Sequence, residues 1–365
     1  MDTQRVSRLQ EEAGRKGLDC LALVPGPNLY YLTGLTFSRS ERPVVALFAA
    51  DGPSAIVLPV LEEPKVAAAT CPLDAYPYGD EEGPALAFHQ ACAALELAEA
   101  RIGVEHLQMR LLEARYLERY APGCLLVAAD EVMSALRVCK DADELALLRR
   151  AVAVIEEALN NTVDQLRVGM TEREAAGLLM LETLRAGGEK TPFEPIVQAG
   201  PSAASPHGVP SDRPIGAGET IVIDCGAFVG GYTSDITRTF VLGGLPDELA
   251  RVYEVVKAAN EAGRAAAGPG VIAQDVDRAA RAVIQAAGYG SYFTHRTGHG
   301  LGLEVHEPPY IVEGNAEALR PGMTFTVEPG IYLPGRGGVR IEDDVVVTAQ
   351  GAESLTTFVR ELVVL

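Results

Sequence analysis

Residues 219–242, ETIVIDCGAFVGGYTSDITRTFVL, read as one hairpin. The apolar run Ile221-Val222-Ile223 ends at Asp224-Cys225, a turn falls near Gly230-Gly231, and Tyr232–Leu242 returns. Asp224 and Asp235 lie on opposite arms at nearly equal distances from the turn. Cross-strand neighbours on one face approach to about 5 Å, so the two carboxylates are expected side by side. An acid at the end of a buried strand is costly unless it is paired or used. Arg238, on the returning arm, offers the competing explanation of a simple counter-ion.

The same arrangement recurs at residues 323–348, MTFTVEPGIYLPGRGGVRIEDDVVVT, where Glu328 and Glu342 stand at equal distances on either side of Gly335. Asp343 follows Glu342, but the pleat turns it to the other face. Asp344 shares the Glu342 face as a lesser candidate, and both are read as structural. Between the hairpins, residues 294–309, THRTGHGLGLEVHEPP, hold three of the six histidines. Gly298 and Gly300 flank His299 and allow close backbone approach. His207 sits in the loop Ser205-Pro206-His207-Gly208, whereas His89 and His106 fall in helical or strand-like stretches and read as structural. Clustering Asp224, Asp235, Glu328, Glu342 and His299 would raise the carboxylate pKa values through mutual repulsion unless cations neutralised them. A pair of divalent ions is the expected compensation.

The elements around the hairpins repeat as well. Residues 141–166 read as a long helix opening the second half. Gly169–Glu174 starts another, with Thr171 and Glu174 fitting a capping box, and it ends near Gly187-Gly188. Later, Gly270-Val271 precedes a helix ending at Gly288-Tyr289-Gly290. Each helix leads to a hairpin carrying two acids, which points to internal duplication about a central cleft. Upstream, residues 3–17 read as an amphipathic helix, Cys20–Val24 as a buried strand, Pro25–Asn28 as a turn, Val44–Ala49 and Ala55–Leu58 as strands, and Leu61–Ala69 as a helix. Alternating strands and helices up to about residue 128 indicate a small α/β domain. The expected organisation is an α/β domain at 1–130 and a duplicated α+β domain at 131–365.

Composition narrows the functional classes. The 365 residues carry a formal net charge of -19, which argues against nucleic acid or an anionic membrane as partner. No apolar run approaches the roughly 20 residues of a membrane span. Six dispersed cysteines without a C-x-x-C spacing suggest core residues rather than disulfides. The charged, helical N-terminus does not look like a signal peptide, and a cytoplasmic location is expected.

The segments IDCGAFVGGYTSDITRTF, HRTGHGLGLEVHEPP, FTVEPGIYLPGRGGVRIEDD and SPHG resemble the pita-bread metallopeptidases, in particular the proline-specific branch of Xaa-Pro dipeptidase (prolidase) and aminopeptidase P. The resemblance spans roughly residues 141–365, with the motifs in order; residues 1–130 more loosely resemble the creatinase-like domain of that branch. It implies a creatinase-like α/β domain followed by a pita-bread α+β domain with internal pseudo-twofold symmetry. It also implies a dinuclear site in which Asp224 holds one ion, His299 and Glu328 the other, and Asp235 and Glu342 bridge. Oxygen-rich ligands favour Mn²⁺, with Co²⁺ or Zn²⁺ as alternatives. Such a pair activates a water against the Xaa-Pro carbonyl, and Glu328 is implied as the group that moves its proton. His207, His295 and His306 are implied to line the cleft, polarising the carbonyl, stabilising the oxyanion or holding the proline end. Arg340 would orient an acidic ligand, unless it forms a plain strand ion pair.

Substrate length is the open choice. A dipeptidase must clamp the free carboxylate of a C-terminal proline, preferably with Arg, whereas aminopeptidase P leaves that path open. Residues 30–43, YYLTGLTFSRSERP, resemble the small-prolidase loop that reaches over the partner subunit's site, but Ser38, Arg39 and Ser40 stand where Asp and His are common. Arg39 or Arg42 would supply the clamp, unless Arg42 pairs locally with Glu41 or a neighbouring acid. The expectation is an Xaa-Pro dipeptidase acting as a homodimer on proline-containing di- or oligopeptides. Aminopeptidase P is the alternative, and a metal-free scaffold on the same fold a remote one.

Overall fold

The computed structural model describes residues 3–365. The chain divides into two units after Arg137. The expected boundary after residue 130 falls instead at the first turn of a helix that belongs to the first unit.

In the first unit, helix α1 (Thr3–Arg15) leads to strand β1 (Cys20–Leu23), helix α2 (Pro27–Thr33), and strands β2 (Val45–Ala49), β3 (Ser54–Pro59) and β4 (Asp74–Tyr78). Helix α3 (Ala85–Ala94), β5 (Arg101–Val104), α4 (Leu111–Tyr120), β6 (Leu125–Ala128) and α5 (Asp130–Arg137) complete it. The strands form one mixed sheet in the order β4-β3-β2-β1-β5-β6. Strands β1, β2 and β3 are buried along their whole length, which is why their sequences are apolar runs rather than alternating ones.

Two segments differ from expectation. The Pro25–Asn28 turn is cut short because Pro27 opens α2, where its missing N–H costs nothing. Gly34, at φ 70°, ends that helix, and its N–H donates to the Tyr30 carbonyl. Tyr30–Thr33 are therefore helical, and the loop before β2 starts at Gly34. Residues 60–68 form a 3₁₀ helix containing Pro64 rather than an α-helix. A proline there can neither donate an i→i−4 bond nor avoid the carbonyl of the preceding turn.

The second unit opens with α6 (Ala142–Val163) and α7 (Glu172–Arg185), each started by a capping box, Asp141 with Glu144 and Thr171 with Glu174. Strand β7 (Ile196–Ala199) precedes a hairpin built from β8 (Thr220–Cys225), β9 (Phe228–Val229), β10 (Tyr232–Thr233) and β11 (Ile236–Val241). Helices α8 (Asp247–Ala266) and α9 (Ala273–Ala286) then lead to β12 (Gly298–Gly300) and β13 (Glu307–Ile311). A second hairpin follows: β14 (Thr324–Val327), β15 (Gly330–Leu333), β16 (Gly337–Arg340) and β17 (Asp343–Val347). Short strands β18 (Ala352–Ser354) and β19 (Val363–Val364) close the chain.

The duplication lies in this order of elements. Each half presents a helix pair, one strand in the first and two in the second, and a hairpin whose base joins a larger sheet while its tip is a separate two-stranded ribbon. The first half gives the sheet β19-β11-β8-β7 with the ribbon β10-β9; the second gives β13-β12-β14-β17-β18 with the ribbon β15-β16. Within the first hairpin, Asp224 pairs with Thr237 rather than with Asp235. Asp235 lies two residues before Thr237, so the two acids are diagonal neighbours on one face. In the second hairpin, Val327 pairs with Asp343 and Ile341 donates to the Pro329 carbonyl, which sets Glu328 opposite Glu342. Asp235, Glu328 and Glu342 all sit where sheet gives way to ribbon. Among the described residues, no helix is long and apolar enough to cross a membrane.

Candidate metal centre

His299 lies on β12, between two glycines for which the strands leave no alternative. A Cβ on Gly298 would overlap the Thr326 carbonyl oxygen, and one on Gly300 the carbonyl of Pro308. Asp277 of α9 fixes the approach to this strand, accepting from the Thr297 N–H at 3.1 Å and its hydroxyl at 2.7 Å. Backbone and ring of His299 are then each held by one bond. The His299 backbone N–H donates to Thr326 Oγ1 at 3.2 Å, and the ring Nδ1 donates to the Gly300 carbonyl at 3.2 Å. That bond leaves Nε2 as the unprotonated ring nitrogen. Burial, followed by His306, pushes the His299 pKa well below its ordinary value, so the ring is neutral.

The Nε2 lone pair faces carboxylates, with Glu328 Oε1 at 3.4 Å and Asp235 Oδ2 at 3.7 Å. Asp235, His299 and Glu342 each present a ligand atom, all within 4.8 Å of one another. Burial and the neighbouring acids raise the Asp235 and Glu342 carboxyls well above their ordinary values, and burial first of all raises Glu328 to about 8. Buried Asp224 Oδ1 and Asp235 Oδ1 have no hydrogen-bond partner. An imidazole lone pair facing acids, beside two buried carboxyl oxygens without a partner, favours a cation among them. The donor set therefore fits divalent metal: Asp224, Asp235, His299, Glu328 and Glu342 converge as expected, all lining one cleft of about 510 Å³.

Arg340 also lines the cleft and is bound to an expected ligand, its Nη2 donating to Asp224 Oδ2 at 2.6 Å. Its Nη1 donates to Tyr332 Oη at 2.9 Å and to the Pro206 carbonyl at 3.2 Å, and Nε to Thr237 Oγ1 at 3.0 Å. Arg238, in contrast, does not serve the first hairpin's acids. It donates to Asp343 Oδ1 at 2.9 Å, on the far face of β17.

The three cleft histidines differ. His207 and His306 are exposed, and the His306 ring stands at 75° to that of His299 with centroids 4.0 Å apart. His295 has both ring nitrogens engaged: Nδ1 donates to the Arg296 carbonyl at 2.7 Å, and Nε2 accepts from Tyr332 Oη at 2.8 Å. Burial, then Arg340, lowers its pKa to about 3. As arranged here it offers no ring nitrogen to a substrate, which departs from the expected carbonyl or oxyanion role.

Four supporting residues escaped the sequence reading. Tyr332 ties His295 to Arg340, Thr237 donates to Glu342 Oε2 at 2.6 Å, and Thr326 bridges His299 to Glu328. Alternation was the available signal: Tyr332 shares a strand face with Glu328, and Thr237 with Asp235. Glu172 had no such signal. Fully buried, it accepts from Ala199 N–H (2.9 Å), Ser202 Oγ, Ser211 N–H (3.0 Å) and Ser211 Oγ (2.6 Å), clasping both ends of the loop that carries His207.

In the first unit, Arg42 is bidentate to Asp80, with both N···O distances 2.7 Å, and lies 3.0 Å from Glu41. Arg39 instead donates to neutral acceptors, the Pro25 and Gln108 carbonyls and Gln108 Oε1.

Such a donor set, on hairpins repeated within an α+β fold, is that of a candidate metal-dependent hydrolase. The chain belongs to metallopeptidase family M24, whose pattern matches residues 146–349, and residues 5–139 match the creatinase/prolidase N-terminal domain. It is 33% identical over 363 residues to the Xaa-Pro dipeptidase of Pyrococcus horikoshii, covering 99% of both chains. Among solved structures it resembles a prolidase from Thermococcus sibiricus, at 36% identity and TM-score 0.95 with all of both chains covered. It also resembles an X-Pro aminopeptidase from Thermotoga maritima, at 32% identity and TM-score 0.87 with 99% of each chain covered. The fold is the pita-bread architecture behind a creatinase-like domain.

Proposed function

We propose that this protein is an Xaa-Pro dipeptidase that uses two divalent ions, Mn²⁺ by preference. The carrying observation is the neutral Nε2 of His299 directed at buried carboxylates whose oxygens lack partners. The mostly oxygen donor set supports a hard ion such as Mn²⁺ over softer ones. We assign Asp224 to one ion, His299 and Glu328 to the other, and Asp235 and Glu342 to both. When bound, the ions supply Lewis acidity and an activated water.

The chain's own groups do the rest. Glu328, which would be a carboxylate once cations neutralise the site, would take a proton from the attacking water and return it to the prolyl nitrogen. That nitrogen carries no N–H in the substrate, so the cleft selects it by shape. His207 and His306 face the cleft and serve the carbonyl and the proline end. His295 acts by holding Tyr332 and Arg340, and Arg340 holds Asp224.

The clamp for a C-terminal carboxylate is Arg39 rather than Arg42 in this reading. Arg42 is already neutralised by Asp80, whereas Arg39 meets only neutral acceptors. This requires a homodimer in which the 34–44 loop serves a partner's cleft, as the resemblance implies. Six free cysteines, four of them buried, support a reducing, cytoplasmic setting. The likeness to an X-Pro aminopeptidase favours the second reading, cleavage of longer peptides. A metal-free scaffold is disfavoured by the intact donor set.

A paired assay with Mn²⁺ decides between them, using one Xaa-Pro dipeptide and one Xaa-Pro-Yaa tripeptide. Dipeptide preference is expected, together with loss of that preference in Arg39→Ala and its retention in Arg42→Ala. Efficient tripeptide cleavage overturns the dipeptidase reading, and an unchanged ratio in Arg39→Ala overturns the clamp.

A further inference from the structure

We propose that the buried ion pair Lys140–Glu307 is a positioning device that holds His306 against His299; the inference rests on the hydrolase reading above. Lys140 Nζ lies 2.7 Å from Glu307 Oε1, and the two side chains are 1% and 5% exposed. Neither residue lines the cleft.

Lys140 is rigidly founded. Its N–H donates to the Gly322 carbonyl at 2.8 Å, Cys139 before it bridges to Met323, and Asp141 after it caps α6. Glu307 is the first residue of β13, follows His306 directly, and pairs with Gly300 across the irregularity that begins at His299. The pair therefore pins the far end of the 301–306 loop at the residue beside one histidine, opposite the residue beside the other. The loop is folded around it. The Gly302 N–H donates to the Glu304 carbonyl at 3.0 Å, and the Glu304 N–H approaches Glu307 Oε2 at 3.4 Å. A Cβ on Gly302 would stand 2.8 Å from Glu307 Oε1 and 2.9 Å from Lys140 Cε, so a bare backbone is what lets the loop close over the pair.

Stability alone does not account for two charges here. Apolar residues of similar volume commonly serve a buried site as well as an ion pair does. What the pair adds is direction, since a salt bridge fixes one side-chain path where an apolar contact tolerates several. His306 is the group that needs direction, because its exposed ring depends on the backbone at Glu307 to stay beside His299.

The test is a cycle combining Lys140→Met/Glu307→Gln with His306→Ala, both loaded with Mn²⁺ and assayed on an Xaa-Pro dipeptide. In the wild-type background the paired change is expected to lower kcat/KM by about 10-fold, at the low end for groups that orient an active-site residue. In the His306→Ala background it is expected to have no further effect. Proton NMR of the histidine rings in metal-free protein gives an independent readout, with assignment by substitution practical for six histidines. The His306 resonance is expected to move when the pair is removed. Wild-type activity in the paired variant, full additivity in the cycle, or an unmoved His306 resonance each overturns the proposal. If the paired variant does not fold, Glu307→Gln alone, which keeps an oxygen for the Lys140 ammonium, enters the same cycle. Should the wild type cleave no Xaa-Pro bond, the functional reading fails while the NMR arm still judges the positioning.

Discussion

Glu342 and Asp343 are consecutive, acidic and almost completely buried, yet they face opposite chemistry. On one face, Glu342 meets Glu328 and Asp224, and burial together with those acids pushes its carboxyl up. On the other, burial would also raise Asp343, but Arg238 and Arg360 outweigh it and hold that carboxyl well below the carboxylate range. Arg360 binds both Asp343 oxygens, at 2.8 and 2.9 Å, and Arg264 lies 3.4 Å away. One step along a strand thus separates an acid whose cations are encoded as arginines from one that is proposed to take its cation from solution. The acid held by arginines is structural, and the acid pushed up by its neighbours is the one proposed to hold metal.

The comparison breaks most visibly if the two acids are neutralised separately. Glu342→Gln should cost activity far more than stability. Partners outside a metal's ligand shell are already worth about 10–100-fold, so loss of a ligand should exceed that range. Steady-state kinetics with Mn²⁺ titration checks this, and near-normal activity would remove Glu342 from the site. Asp343→Asn should do the reverse, costing about 3–5 kcal/mol by leaving buried arginines uncompensated. Denaturant melts should register that loss while the folded fraction retains its Mn²⁺ content.

pH sharpens the same contrast. Glu328 is raised to about 8, and Asp235 and Glu342 are raised as well. With folded pKa values above unfolded ones, the unfolded chain ionises first as pH climbs, so metal-free protein loses stability from the ordinary carboxylate range up to about pH 8. Asp343 has the opposite sign. Its contribution is present above the ordinary carboxylate value and is lost as pH falls toward its depressed one. Bound metal removes only the first effect. The Tm difference between Mn²⁺-loaded and chelated protein should therefore widen from pH 5 to pH 8; a constant gap would mean the acids are not neutralised by metal.

How much of this was legible follows the same division. The two hairpins, the five residues that meet in the cleft and the duplicated order could be read because they rest on local patterns: apolar runs, glycine turns and acids at matching distances. The diagonal offset of Asp224 and Asp235 was not readable, because register is decided by the whole strand pair rather than by counting from a turn. Asp343 was correctly placed off the site by alternation, but its arginines come from β11, α8 and the segment after β18, which no local spacing connects. Helix α2 was hidden by a proline that signals a turn as readily as a helix start. His295 was grouped with its neighbours by composition, whereas its engagement with Tyr332 depends on a strand 37 residues away.

The finest test uses two threonines. Thr237 Oγ1 donates to Glu342 at 2.6 Å, and Thr356 Oγ1 donates to Asp343 at 2.7 Å, so each acid receives one hydroxyl of nearly equal geometry. Thr→Val removes that hydrogen bond with little change of shape, and the context should decide where the loss is felt. At Asp343 the acceptor is ionised, so Thr356→Val should cost about 1.5–3 kcal/mol of folding stability, the range for a bond to a charged group. Metal affinity should not change there. At Glu342 the metal-free carboxyl is raised, but Thr237 also accepts from Arg340 Nε at 3.0 Å, so Thr237→Val should likewise cost about 1.5–3 kcal/mol in chelated protein. With Mn²⁺ present, Glu342 would be a carboxylate ligand under the proposed assignment. The same substitution should then weaken metal binding about 10-fold, as for other partners behind a ligand. An unchanged Mn²⁺ affinity in Thr237→Val, or a weakened one in Thr356→Val, would mean that the two faces of this strand do not differ in the way proposed.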